Sequence, residues 1–191
     1  MSDIPEDIRF ESGISDPDRD WCISLKQPMA SLIADGSLQC FTLGMPPPFT
    51  FIGRRIFIHA GGSDLPYKVF SDEQRKAVQM RFGQTLEAAR RDLPKGMIVA
   101  SAEIRAAYIV GRAGEGVVWS SPKEKDWTRA LGDWEACSPF RGLFLGDWSY
   151  GQWAWFLKDM RPEPHRALKG FSGLFDLEHA FALREQKDRA A

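Results

Sequence analysis

The sequence predicts an α+β domain with a mixed sheet or small barrel flanked by helices. Three observations lead there. Apolar residues switch along the chain between a period of two and a period of 3.6. Those segments run strand, helix, two strands, helix, further strands and a closing helix, which is no regular βαβα alternation. The 191 residues, 43% hydrophobic and 27% charged, suffice for one full core.

Residues 1–19 are rich in Asp, Glu, Ser and Pro and read as a flexible leader before a single domain at 20–188. The first strand is "WCISL" at 21–25. In "KQPMASLIADG", Pro28 suits the first helical position and Gly36 the position just past the end, where positive φ is needed. Met29, Leu32 and Ile33 form the apolar stripe between them. "LQCFTL" is a strand, and "MPPPFTFIG" a stiff, proline-held connector. "RRIFIHA" alternates, with Arg55, Phe57 and His59 on one face and Ile56, Ile58 and Ala60 on the other.

One helix is expected over 71–93. Ser71 and Gln74 form a capping box, Val78, Phe82, Leu86 and Ala89 recur at helical spacing, and Arg90 and Arg91 suit the last turn. In "GMIVASAEIRAAYIVGR" the even positions from Ile98 to Tyr108 are apolar, while Ser101, Glu103 and Arg105 line the other face. Residues 111–148 show no clear periodicity and read as an aromatic-rich insertion. There Lys123, Lys125, Trp127, Arg129 and Arg141 interleave cations and rings, but nearby acids cancel most of the charge. "GQWAWFLKDMRP" is a strand with Trp153, Trp155 and Leu157 on one face. The closing helix starts at an Asp176 N-cap and turns Leu177, Ala180 and Phe181 inward.

Composition excludes several classes. No run approaches the ~18 apolar residues that span a bilayer, so no membrane association is expected. The acidic N-terminus lacks the basic and apolar regions of a secretory signal. Net charge is −1, so a nucleic acid would need a local basic patch. Cys22, Cys40 and Cys137 are widely spaced, form no CxxC pair and have no ligand spacing with His59, His165 or His179. No metal, cofactor or disulfide framework is expected, and three thiols suit a reducing, cytoplasmic location.

"ISLKQPMASLIADG", "PPPFTFIGRRIFIHAG", "ASAEIRAA" and "SYGQWAWFLKDMRPEPHRALKGFSGLFDL" resemble, in that order, segments of the ASCH domain family of the PUA-like superfamily. The resemblance runs in patches from Cys22 to Leu177. It implies a small PUA-like β-barrel with helices around it, and a cleft beside the first helix that takes RNA or a modified nucleoside. The family signature there is G-x-K-x-x-E-x-R, with Thr replacing Glu in some hydrolases. On this chain Gly36 fills the glycine position, but Leu38, Phe41 and Leu43 stand at the Lys, Glu or Thr, and Arg positions. Leucine offers no amine or donor fork, and phenylalanine takes no proton, so the family's hydrolytic chemistry does not transfer there.

The resemblance therefore implies a binding module for RNA or a modified nucleoside rather than an enzyme. Its candidate ligand-binding residues are Gln27, Arg54, Arg55, His59, Glu103 and Trp153. Arg54 and Arg55 suit phosphate positioning, against a plain solvated strand face. A lone His59 is as well explained by one structural hydrogen bond. Trp153 and Trp155 could stack bases, though alternation already explains them as core. The alternatives are a nucleoside amidohydrolase or ribonuclease using Glu103, and a protein-interaction or structural module with a filled-in cleft. Glu103 as an exposed cross-strand partner is the plain reading against catalysis.

Overall fold

The computed structural model describes residues 19–66, 72–83, 85–113, 116–120 and 151–189. Its strands are β1 (Trp21–Gln27), β2 (Cys40–Leu43), β3 (Arg55–Asp64), β4 (Met97–Ala113), β5 (Gly116–Ser120), β6 (Trp153–Ala167) and β7 (Leu174–Asp176). The helices are α1 (Met29–Ala34), α2 (Asp72–Phe82), α3 (Leu86–Asp92) and α4 (Leu177–Arg189). Residues 1–18 of the expected leader, Ser71 of the capping box, and Lys123, Lys125, Trp127, Arg129 and Arg141 lie outside the described residues.

The strands form one mixed sheet in the order β2-β6-β4-β3-β1-β7, with β5 pairing β4. Strands β1 and β3 run parallel and the other pairs antiparallel. The expected barrel is not formed. Strands β2 and β7 stand at opposite ends of the ladder, and both are short, four and three residues. Short edges limit pairing with further strands.

The main core covers one face. It joins Ile23 and Leu25 of β1, Ile56 and Ile58 of β3, Ala102 and Ile104 of β4, and Trp155 and Leu157 of β6 to Leu32 and Ile33 of α1. Helix α1 is short because Pro28 precedes it and Gly36, at φ +78°, ends it. The peptide bond between Gln27 and Pro28 is cis. A smaller core on the opposite face gathers Cys22, Ile98, Phe175, Leu177 and Ala180 beneath α4. Asp176 caps that helix by accepting the His179 N–H at 3.0 Å, and Arg19 pairs with it at 2.7 Å. Burial works against the Asp176 charge, but those bonds outweigh it and hold its carboxyl below the usual range.

Three local expectations are corrected. The single helix over 71–93 is two, because Gly83 adopts φ +66° and Thr85 Oγ1 accepts the Ala88 N–H as a new start. Residues 116–120, expected to be irregular, form β5 against β4. The even positions of β4 do not share one face. Irregularities in register between Ile98 and Ala100 and between Ile104 and Ala106 place Ile98, opposite His59, and Ala106, opposite Phe156, on the second face.

Candidate functional site

The signature positions are core. Leu38 is 1% and Phe41 0% exposed, and Phe41 packs on Trp155 with ring centroids 5.6 Å apart. Leu43 is partly buried against the same cluster. Burying each of these side chains contributes roughly 1.5–3 kcal/mol to folding, so they serve as packing where the resemblance expects polar chemistry.

Gln27 is fully buried and employed at the β1–α1 corner. Its Nε2 donates to Ser31 Oγ at 2.9 Å and to the Pro94 carbonyl at 2.6 Å, while its Oε1 accepts the Ser31 N–H at 3.2 Å. Trp153 packs half-buried against the main core at the β2–β6 end of the sheet.

His59 is 2% exposed on the second face. Its Nε2 lies 2.9 Å from the Leu168 carbonyl, which can only accept, so Nε2 carries the proton. Nδ1 then accepts the Ser24 hydroxyl, also at 2.9 Å. Burial holds the ring below its ordinary pKa despite the Leu168 contact, and keeps it neutral. Residue 170 must be glycine: a Cβ there would lie 2.2 Å from His59 Cε1 and 2.5 Å from Ser24 Oγ. The Ser24–His59 pair is thus roofed by backbone and acts as a clasp between β1, β3 and the turn at 168–173.

Arg55 and Glu103 do come together, as opposed residues of β3 and β4. Around them lies a polar network on the second face, beyond the reach of α4. Arg55 Nη1 donates to Ser101 Oγ at 3.1 Å and to the Asp159 carbonyl at 2.9 Å. Ser101, itself fully buried, donates onward to Glu163 Oε1 at 2.7 Å. Glu103 pairs with Lys158 at 2.7 Å. Arg54, the residue before β3, is not brought to this group: its guanidinium lies 5.9 Å from the ring centroid of Phe51, a member of the main core.

A bulge builds this geometry. Between Glu103 and Ser101 on β4 there are two steps, but their partners Lys158 and Arg161 on β6 are three apart. Asp159, at φ +48°, absorbs the extra residue and turns its carbonyl toward Arg55. Beyond Leu157, β6 has no β2 partner, so its Pro162 and Pro164 sit on an edge where the missing donors cost little. Arg161, opposite Ser101, and Arg166, opposite Ile98, belong to this face. Arg166 lies over Phe57 and Phe181, 5.8 and 5.3 Å from their ring centroids.

Sequence reasoning found Arg55 and Glu103 but missed Ser101, Lys158, Arg161, Glu163 and Arg166 as their neighbours. The only local sign was the spacing of Arg161, Glu163 and His165 around two prolines. Among the described residues no group of three or more His, Cys, Asp or Glu could hold a metal ion, and no helix is long and apolar enough to cross a membrane.

No family model matches the chain, and no curated protein does. Among solved structures it is similar to a crystal structure of a serine-to-alanine mutant of ZmASCH from Zymomonas mobilis. That likeness has 13% identity and a TM-score of 0.44, over 88% of this chain and 95% of the other. These values leave the chemistry of the site to be read from its own residues.

Proposed function

We propose that this protein is a non-catalytic binding module for RNA, held on the second face of the sheet between α4 and the β6 bulge. The observation that carries the reading is the charge of that face. Arg55, Lys158, Arg161 and Arg166 share it with Glu103, Asp159 and Glu163, so cations outnumber carboxylates by one in a chain whose net charge is −1. Arginines of this kind position phosphates, and a row of them along one strand suits an extended backbone. A strand of RNA fits better than a single nucleoside, because Leu38 and Phe41 occupy the core beside α1. Catalysis by Glu103 is disfavoured because its carboxylate is already engaged by the Lys158 ammonium at 2.7 Å.

The test is fluorescence anisotropy with a labelled single-stranded RNA over a salt series. Three phosphates contacted through Lys158, Arg161 and Arg166 give log K against log salt a slope of about −2. The double variant Lys158→Glu/Arg161→Glu lowers affinity on the order of tenfold or more. A binding curve flat in salt, or one untouched by that variant, rejects the reading. Turnover of RNA or of acetylated cytidine that is lost in Glu103→Gln would replace it with the enzyme.

A further inference from the structure

A second concave surface lies apart from the proposed RNA face. The end of β6, the turn at 168–173 and α4 border a half-open hollow of about 480 Å³. Its apolar lining comes from Leu168, Phe171, Ala180 and Leu183. Leu168 and Ala180 belong to the second core, but Phe171 is 39% and Leu183 40% exposed. They are two of the few large apolar side chains that the described residues leave open to water, and both line the same hollow. Paired exposure of that kind marks a binding site more often than chance scatter does.

The remaining lining decides what kind of ligand fits. Lys169 comes from the turn, and Arg184 and Lys187 from α4; the described lining includes no acid. Arg184 donates to the Ala167 carbonyl, which holds its guanidinium at the cavity wall. A volume near 480 Å³ falls within the ~300–1,000 Å³ of small-molecule sites, and is too small for a protein element.

We propose that this cavity binds a small amphipathic anion: an aliphatic body against Leu168, Phe171, Ala180 and Leu183, with one carboxylate among Lys169, Arg184 and Lys187. A purely apolar ligand would desolvate three cations without compensating any of them. A nucleotide would place its polar sugar and base against a lining that is mostly hydrocarbon. The carboxylate of an aliphatic acid meets both demands at once, since a guanidinium and two ammoniums can share it at the rim.

The experiment uses the full chain and the probe anilinonaphthalene sulfonate, an apolar body with one anionic group. The expected result is saturable one-to-one binding, with decanoate displacing the probe at a concentration on the order of tenfold below decanol. Leu183→Asp weakens the probe by on the order of tenfold, and Lys169→Glu/Lys187→Glu weakens decanoate while leaving decanol unchanged. Leu183, Lys169 and Lys187 are exposed, so these variants keep the fold, and circular dichroism verifies it. Lys158→Glu/Arg161→Glu leaves decanoate binding intact, which separates this site from the RNA face. The proposal is overturned if binding is not saturable, if decanol competes as well as decanoate, or if the Leu183 and lysine variants bind like the parent.

Discussion

The two faces of the sheet are built from the same strands and do opposite things. On the α1 face β1, β2, β3, β4 and β6 contribute hydrocarbon, and Leu38 and Phe41 complete it. On the other face the hydrocarbon beneath α4 ends at Phe57 and Phe181 and resumes only at Ala106 and Phe156, and between them Arg55 meets Ser101 and Glu103 meets Lys158. A packed face tolerates loss of polar chemistry if volume is kept, whereas a half-open face keeps polar groups only as a connected set, because each buried donor or acceptor left alone costs about 1–3 kcal/mol. Leu38, Phe41 and Leu43 are thus members of a completed core, while Arg55 and Glu103 belong to a surface still able to meet a ligand.

The sharpest way to break this contrast is Leu38→Lys, which places a cation in the packed face. At 1% exposure the ammonium has no partner, so the variant should lose roughly 3–5 kcal/mol, read as a shift in urea midpoint at unchanged slope. If it instead folds with near-parental stability, a polar hollow exists beside α1 and the packed-face account fails. Phe41→Ala should cost a similar amount through the cavity it leaves.

Next in size is the seam where the faces meet the turn at 168–173. Gly170→Ala should cost roughly 2–4 kcal/mol, since its methyl collides with His59 and Ser24. His59→Ala in the same chain should recover part of that loss, a coupling that a double-mutant cycle reads directly. The neutral ring also sets a pH response. Its pKa is lowered in the folded state, so the unfolded chain binds the proton first as pH falls. Stability should be complete above the ordinary histidine pKa of about 6.5 and fall as pH drops below it, toward the folded value. His59→Gln flattens that limb; Asp176, also lowered, adds a further loss at more acidic pH, below the ordinary aspartate range.

On the polar face the effects are smaller. Ser101→Ala removes the link between Arg55 and Glu163 and should cost about 1–3 kcal/mol, with RNA affinity falling as Arg55 loses its anchor. A loss of stability without any change in affinity would make the network purely structural.

Much of this was legible before any coordinates. Alternation in "RRIFIHA" assigned Ile56 and Ile58 to one face and Arg55 to the other, and the strand pairing agrees. Gly36 lies just past the end of α1 as expected, Pro28 is the N-cap of that helix rather than its first residue, and Asp176 caps α4 as its residue type suggests. What stayed hidden depends on pairing rather than on local pattern. A register irregularity moves Ile98 to the second core and another moves Ala106 off the main one, and neither alters the alternation visible in sequence. Sheet closure is likewise a relation between distant edges. The candidate face was half legible for the same reason: Glu103 announced itself, but Lys158 and Arg161 reach it only through an extra residue in β6.

That extra residue supplies the finest test of the comparison. Asp159 holds φ +48°, a conformation that costs most L-residues about 1–2 kcal/mol and aspartate somewhat less. Glycine removes that cost but adds roughly 0.5–1 kcal/mol of unfolded-state entropy. Asp159→Gly should therefore be nearly neutral to slightly stabilising, with a melting shift of at most about 2 °C. The carbonyl that Arg55 uses is backbone and survives the change. Affinity for RNA should then hold or rise slightly, because a carboxylate leaves the face while the bulge stays. If affinity falls instead, the Asp159 side chain takes part in recognition, and the face reads its ligand with acids as well as bases.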